Sequence, residues 1–182
     1  MKKLILIFSV LLFQFNYSFA NDEVIESLKE GNKLIFIRHA LAPGNGDPEN
    51  FELQNCSTQR NLDDIGIQQS KRIGLIFKKN KIKIDKIYSS EWCRCKDTAK
   101  YAFNDFKTFD ALNSFYDIRF ADNKDKQIKD FYEFIDNIDS KNNIVFVTHY
   151  VVIGAILNIG TSSGEIVVTD KNLNIIGSID TL

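Results

Sequence analysis

This 182-residue chain has two histidines, and both stand directly behind short apolar runs. His39 follows Leu34-Ile35-Phe36-Ile37-Arg38, and His149 follows Ile144-Val145-Phe146-Val147-Thr148. Such runs read as buried strands, and in open α/β sheets ligands gather at the carboxyl ends of strands. One histidine at a strand end is easily a satisfied polar group. Two in equivalent positions point to a shared site. Arg38 adjoins the first, and Arg94 falls where the run ending in Ser89-Ser90 passes into a helix. Helix starts favour negative charge, so an arginine there suits a place shared with an anion.

Two guanidinium groups and two imidazoles can enclose a tetrahedral dianion. Arginine's planar donors take phosphate oxygens in pairs and keep their charge through the transfer. A neutral imidazole can attack phosphorus, and water can then release the phosphohistidine, which divides one hard displacement into two easier ones. The expected partner is a small phosphorylated substrate. No metal or organic cofactor is called for: the arginines supply the positive charge, and no histidines flank the cysteines at ligand spacing.

These residues need elements to hold them. Residues 22–30 form a short helix that Gly31-Asn32 stops before the first strand. Residues 42–57 hold Pro43, Pro48, Gly44 and Gly46 and read as a loop that walls the site. Leu62, Ile65, Ile73, Ile76 and Phe77 mark a helical face, as do Ile128, Phe131, Phe134, Ile135 and Ile138. A second strand covers 86–89, helices cover 93–103 and 151–158, and Thr108-Phe109 starts a further strand. Residues 165–169 and 175–179 read as a hairpin across 170–174. The alternation predicts a single α/β domain of three layers, α/β/α, with an open and mostly parallel sheet.

Lys and Arg total 23 against 24 Asp and Glu. That balance gives no reason to expect nucleic acid as a partner. Residues 1–20 read as a secretory signal: Lys2-Lys3, an apolar run over Leu4 to Phe13, and Ser18-Phe19-Ala20 at a cleavage point. Residues 21–182 would be the mature domain, periplasmic or secreted, with no stable membrane span once the signal is removed; the alternative is an uncleaved amino-terminal anchor, since Phe15, Tyr17 and Phe19 extend the apolar stretch, and it too places the domain outside the cytoplasm. In such a compartment Cys56 can pair with Cys93 or with Cys95, while small buried cysteines are an equal alternative.

The same residues resemble the histidine phosphatase superfamily, whose fold is phosphoglycerate-mutase-like. Arg38-His39-Ala40 resembles its Arg-His-Gly signature, with alanine for glycine. The resemblance implies His39 as nucleophile and Arg38 as a phosphate ligand. Ser89-Ser90-Glu91-Trp92-Cys93-Arg94-Cys95-Lys96-Asp97-Thr98-Ala99 resembles the family's Ser-Ser-x-x-x-Arg-x-x-x-Thr-Ala segment, so Arg94 would be the second phosphate arginine. Thr148-His149 resembles the late Thr-His element and implies His149 as a donor to the phosphoryl oxygens. Residues 60–69 are similar to Arg-x-Leu-x-x-x-Gly-x-x-Gln, where Arg60 either reaches substrate or serves the start of the helix.

Many members carry a glutamate acid in a Leu-x-Glu element, and here Leu112-Asn113-Ser114 puts Ser114 in its place. Glu91 and Asp117 are then the candidate acids. The resemblance implies a phosphomonoesterase, with a sugar phosphate or envelope glycan phosphate as substrate. A phosphohistidine phosphatase, whose leaving group needs less help, a silent phospho-ligand-binding module and a mutase are the alternatives.

Overall fold

The computed structural model describes residues 22–182, so the expected signal over 1–20 lies outside the described residues. A helix over 22–30, here α1, leads into strand β1 (Leu34–Arg38). There follow α2 (Asp64–Lys79), β2 (Ile84–Ser89), α3 (Cys93–Phe103), β3 (Lys107–Thr108), α4 (Lys124–Asp136), β4 (Asn143–Thr148), α5 (Tyr150–Leu157), β5 (Ile166–Thr169) and β6 (Ile175–Ile179). The six strands form one sheet in the order β3-β2-β4-β1-β5-β6. β1, β2, β3 and β4 run parallel, while β5 pairs antiparallel with both β1 and β6 and is the one reversed strand of the sheet.

Both sheet faces are covered, which explains why the central strands are apolar without alternation. In β1, Ile35 and Ile37 face a core completed by Val24 and Leu28 of α1, Ile73 and Phe77 of α2 and Ala99 of α3. Leu34 and Phe36 face the opposite core, with Phe131 of α4 and Val152, Ile153 and Ile156 of α5. Successive side chains of a strand point to opposite faces, so a continuous apolar run feeds both cores at once. The strands the sequence marks are all present. The helix expected from Leu62 begins at Asp64, because Asp63 caps it by accepting from the Gly66 N–H at 2.8 Å. Single-turn helices at Cys56–Thr58 and Asp110–Leu112, and a longer one at Ile118–Asn123, are additions that no periodicity announced.

Two glycines of α2 set its position. A Cβ on Gly66 would stand 2.0 Å from the Leu41 carbonyl oxygen, and one on Gly74 would stand 2.2 Å from that of Ala102 in α3. The first contact presses the start of α2 onto the turn that follows His39. Gln69, one turn further on, accepts from the Leu41 N–H at 2.9 Å and donates to the Ser163 carbonyl and to Thr181 Oγ1. The glycine and glutamine of the 60–69 stretch thus brace the turn that follows His39.

Candidate active site

β1 and β4 are neighbours with Arg38 in register with Thr148, so the two residues that follow come side by side. The His39 and His149 rings lie 5.5 Å apart between centroids, edge to face, and both are buried. His39 Nδ1 is 2.8 Å from the carbonyl oxygen of Ala40. A carbonyl can only accept, so Nδ1 carries the proton and the neutral ring keeps its lone pair on Nε2. Burial first, then the charge of Arg94, holds this imidazole well below the ordinary histidine range, with Arg60 and Arg38 adding to the effect against the Ala40 carbonyl. His39 is therefore neutral at neutral pH.

His149 is held the same way, by burial and then by Arg94, His39, Arg60 and Arg38. Its Nε2 lies 2.9 Å from Ser90 Oγ, and that hydroxyl donates to Asn113 Oδ1 at 3.1 Å. Cys95 Sγ is 3.5 Å from the same nitrogen. Burial pushes the Cys95 thiol up to about 12, so it is an unionised neighbour rather than a nucleophile.

Arg94 sits in the first turn of α3 and is 3 % exposed. An anion from the chain itself faces this helix start. Asp47, in the loop after β1, accepts from Arg94 Nη1 at 2.8 Å and from the Arg60 N–H at 3.0 Å through Oδ1, and from Trp92 Nε1 at 3.1 Å through Oδ2. Burial alone would raise the Asp47 carboxyl, but the bond and charge of Arg94, with Arg60 and Trp92, outweigh it and hold the group below its ordinary value. Arg94 Nε is buried without a partner.

The other expected residues are distributed around this centre. Arg60 donates to the Gly46 carbonyl at 3.0 Å and to that of Ala42, clamping the loop while lining the cavity with His39, His149, Asp47 and Arg94. Arg38 does not line that cavity: its Nη1 donates to the Thr161 carbonyl at 2.6 Å and its guanidinium lies 5.2 Å from the Tyr150 ring centre. Glu91 is also off the cavity, where its carboxylate accepts from Asn113 Nδ2 at 2.7 Å. Asp117 does line it, yet it is paired with Arg119 at 2.7 Å, and that bond brings its carboxyl down to about 2. Ser114 is buried in the cavity wall, where its hydroxyl accepts from the Tyr116 N–H.

Sequence reasoning missed Asp47, Trp92 and Tyr150. The signal that could have found Asp47 was an acid set between Gly46 and Pro48 in a loop already placed beside the site, although Glu49 and Glu52 share that loop. Cys56 is bonded to Cys93, with Cys95 left free and buried, which joins that loop to the start of α3 beside Arg94. Among the described residues no cluster of three or more His, Cys, Asp or Glu could hold a metal ion.

The family description "histidine phosphatase superfamily (branch 1)" matches residues 34–126. Solved structures share the fold. The putative phosphohistidine phosphatase SixA of Agrobacterium tumefaciens is 18% identical with a TM-score of 0.58, covering 82% of this chain and 98% of its own. A phosphoglycerate mutase of Thermus thermophilus is 16% identical with a TM-score of 0.59, covering 81% and 98%. The protein histidine phosphatase SixA complexed with tungstate is 14% identical with a TM-score of 0.56, covering 79% and 92%. Curated proteins give no match.

Proposed function

The chain belongs to the histidine phosphatase superfamily (branch 1), and from that premise we propose that it is an exported phosphatase that hydrolyses phosphomonoesters through a phosphohistidine on His39. The observation that carries this reading is the locked neutral tautomer of His39, whose free Nε2 belongs to a ring lining the same cavity as Arg94, Arg60 and His149. Nε2 forms the bond to phosphorus as the ester bond breaks, and water then attacks the phosphohistidine to give inorganic phosphate. Arg94 and Arg60 hold the equatorial oxygens, and Arg38 adds charge from behind Tyr150. A dianion beside His149 raises that ring's proton affinity and makes it a donor to a phosphoryl oxygen.

Export is supported by the pattern of residues 1–20 and by a disulfide between Cys56 and Cys93, a bond that persists in oxidising compartments. No helix among the described residues is long and apolar enough to cross a membrane. The test of the reading is turnover of an aryl phosphate by wild type and by His39→Ala, with an acid quench to locate bound phosphate. A loss of several orders of magnitude, with label on His39, is expected; equal rates would sink the assignment. Vanadate binding without turnover in the wild type would make the chain a phospho-ligand-binding module instead.

A second reading, phosphohistidine hydrolysis, draws on Ser114 standing where an acid is expected, because a protonated imidazole leaves without a strong acid's help. Comparing a phosphohistidine peptide with an oxygen ester in the same assay separates the two.

A further inference from the structure

We propose that Asp47 is the proton donor to the leaving group, recruited when the phosphoryl group enters the site. The inference deepens the phosphatase reading and rests on it. Two carboxylates line the cavity, Asp47 and Asp117. Asp117 is partly exposed and committed to Arg119 through two bonds of 2.9 and 2.7 Å, so it keeps its charge. Asp47 is enclosed, its side chain 10% exposed against 4% for Arg94.

Its two oxygens are unequally used. Oδ1 takes both Arg94 Nη1 and the Arg60 N–H, whereas Oδ2 takes only Trp92 Nε1 and retains room for a proton. Arg94 in turn gives Asp47 one nitrogen and keeps a buried Nε without a partner. A phosphoryl group held by the remaining donors of Arg94 therefore comes to lie one guanidinium away from the carboxylate. Like charges at that range disfavour ionisation of the second group. The charged groups facing Asp47 are Arg94, Arg60 and Arg119, with His39, His149 and Asp117 on the same cavity. Without substrate the arginines keep Asp47 ionised. With a dianion neutralising Arg94 and Arg60, the balance turns and the carboxyl takes up a proton.

The step balances. The Nε2 lone pair of His39 forms the bond to phosphorus while the P–O bond to the leaving oxygen breaks. That oxygen keeps the bonding pair and takes the proton from Oδ2, leaving an alcohol and a carboxylate. The carboxylate then accepts a proton from the water that attacks phosphohistidine, and the site returns to its starting state.

The experiment is a series of aryl phosphates of rising leaving-group basicity, from para-nitrophenyl to phenyl phosphate, with wild type and Asp47→Asn. General acids contribute about 10²–10⁴-fold where the leaving group needs a proton. Asp47→Asn is expected to lose about that factor on phenyl phosphate but about tenfold or less on para-nitrophenyl phosphate. The alkaline limb of the wild-type kcat profile should vanish in the variant. An equal loss across the series would show that Asp47 only positions Arg94, and a gain across it would show that Asp47 merely obstructs the site; either overturns the proposal. Absence of wild-type turnover on every member would overturn the phosphatase reading itself.

Discussion

At the scale of single residues, the site is built from groups kept in the less charged or the paired state by burial. Both imidazoles are neutral in the fold, while in the unfolded chain they titrate near 6.5. Below about pH 6.5 the unfolded chain therefore binds more protons, so stability is full above that pH and falls as pH drops, towards a limiting slope of about 1 kcal/mol per pH unit for each ring. Urea unfolding followed from about pH 7.5 to about 5.5 is expected to show this loss, and His39→Asn with His149→Asn to flatten it. An unchanged slope in the double variant would mean that the rings are not held neutral. The two histidines were legible in the sequence because each follows an apolar run, and Arg94 because a cation stands at a helix start. Asp47 was not. Its partners lie 13, 45 and 47 positions away, and no local pattern encodes a contact closed by a loop.

At the scale of elements, the turn after β1 is squeezed between α2 and the residues leading into β5. Gly66→Ala and Gly74→Ala both place a methyl against backbone, and each is expected to destabilise by about 1–3 kcal/mol. Only the first meets the turn that follows His39. Its kcat on an aryl phosphate should fall well beyond that of Gly74→Ala; equal values would show that α2 does not position His39. The Cys56–Cys93 bond spans 37 residues. Its removal by Cys56→Ala with Cys93→Ala is expected to cost about 2–4 kcal/mol in urea unfolding. It should also weaken phosphate binding, because the loop bearing Asp47 loses its covalent tie to α3 and keeps only noncovalent ones such as the Asp47–Arg94 pair. Strands and helices were readable from periodicity here, whereas the choice between Cys93 and Cys95 was not: it depends on which side of the first turn of α3 faces the loop.

At the scale of the whole molecule, the sheet was foreseen as mostly parallel, and so it is, with the reversed strand falling in the carboxyl-terminal hairpin. What the sequence could not reveal is the order of the strands. Central β1 pairs with β4 and β5, and both come from beyond residue 142. Reversal of β5 has a local effect as well, since it brings residues 161–165 to the end of β1 that bears Arg38 and His39. There Gly164 donates to the carbonyls of Arg38 and His39, and Arg38 donates to that of Glu165.

That topology also fixes the timetable of assembly. The segment bearing His39 leaves the ribosome before β4, and its strand has no partner until about a hundred more residues have followed. Until then an apolar ribbon of Leu34 to Ile37 waits unpaired, the condition in which growing chains associate wrongly. Cys56 and Cys93 both emerge before β4. Once the chain reaches an oxidising compartment, the covalent tie across the loop can therefore close while β1 is still unpaired, and pulse-labelled chains trapped with a thiol reagent should show the bond forming before protease resistance is reached. The reverse order would mean that the sheet assembles first and the loop is fastened onto a finished site.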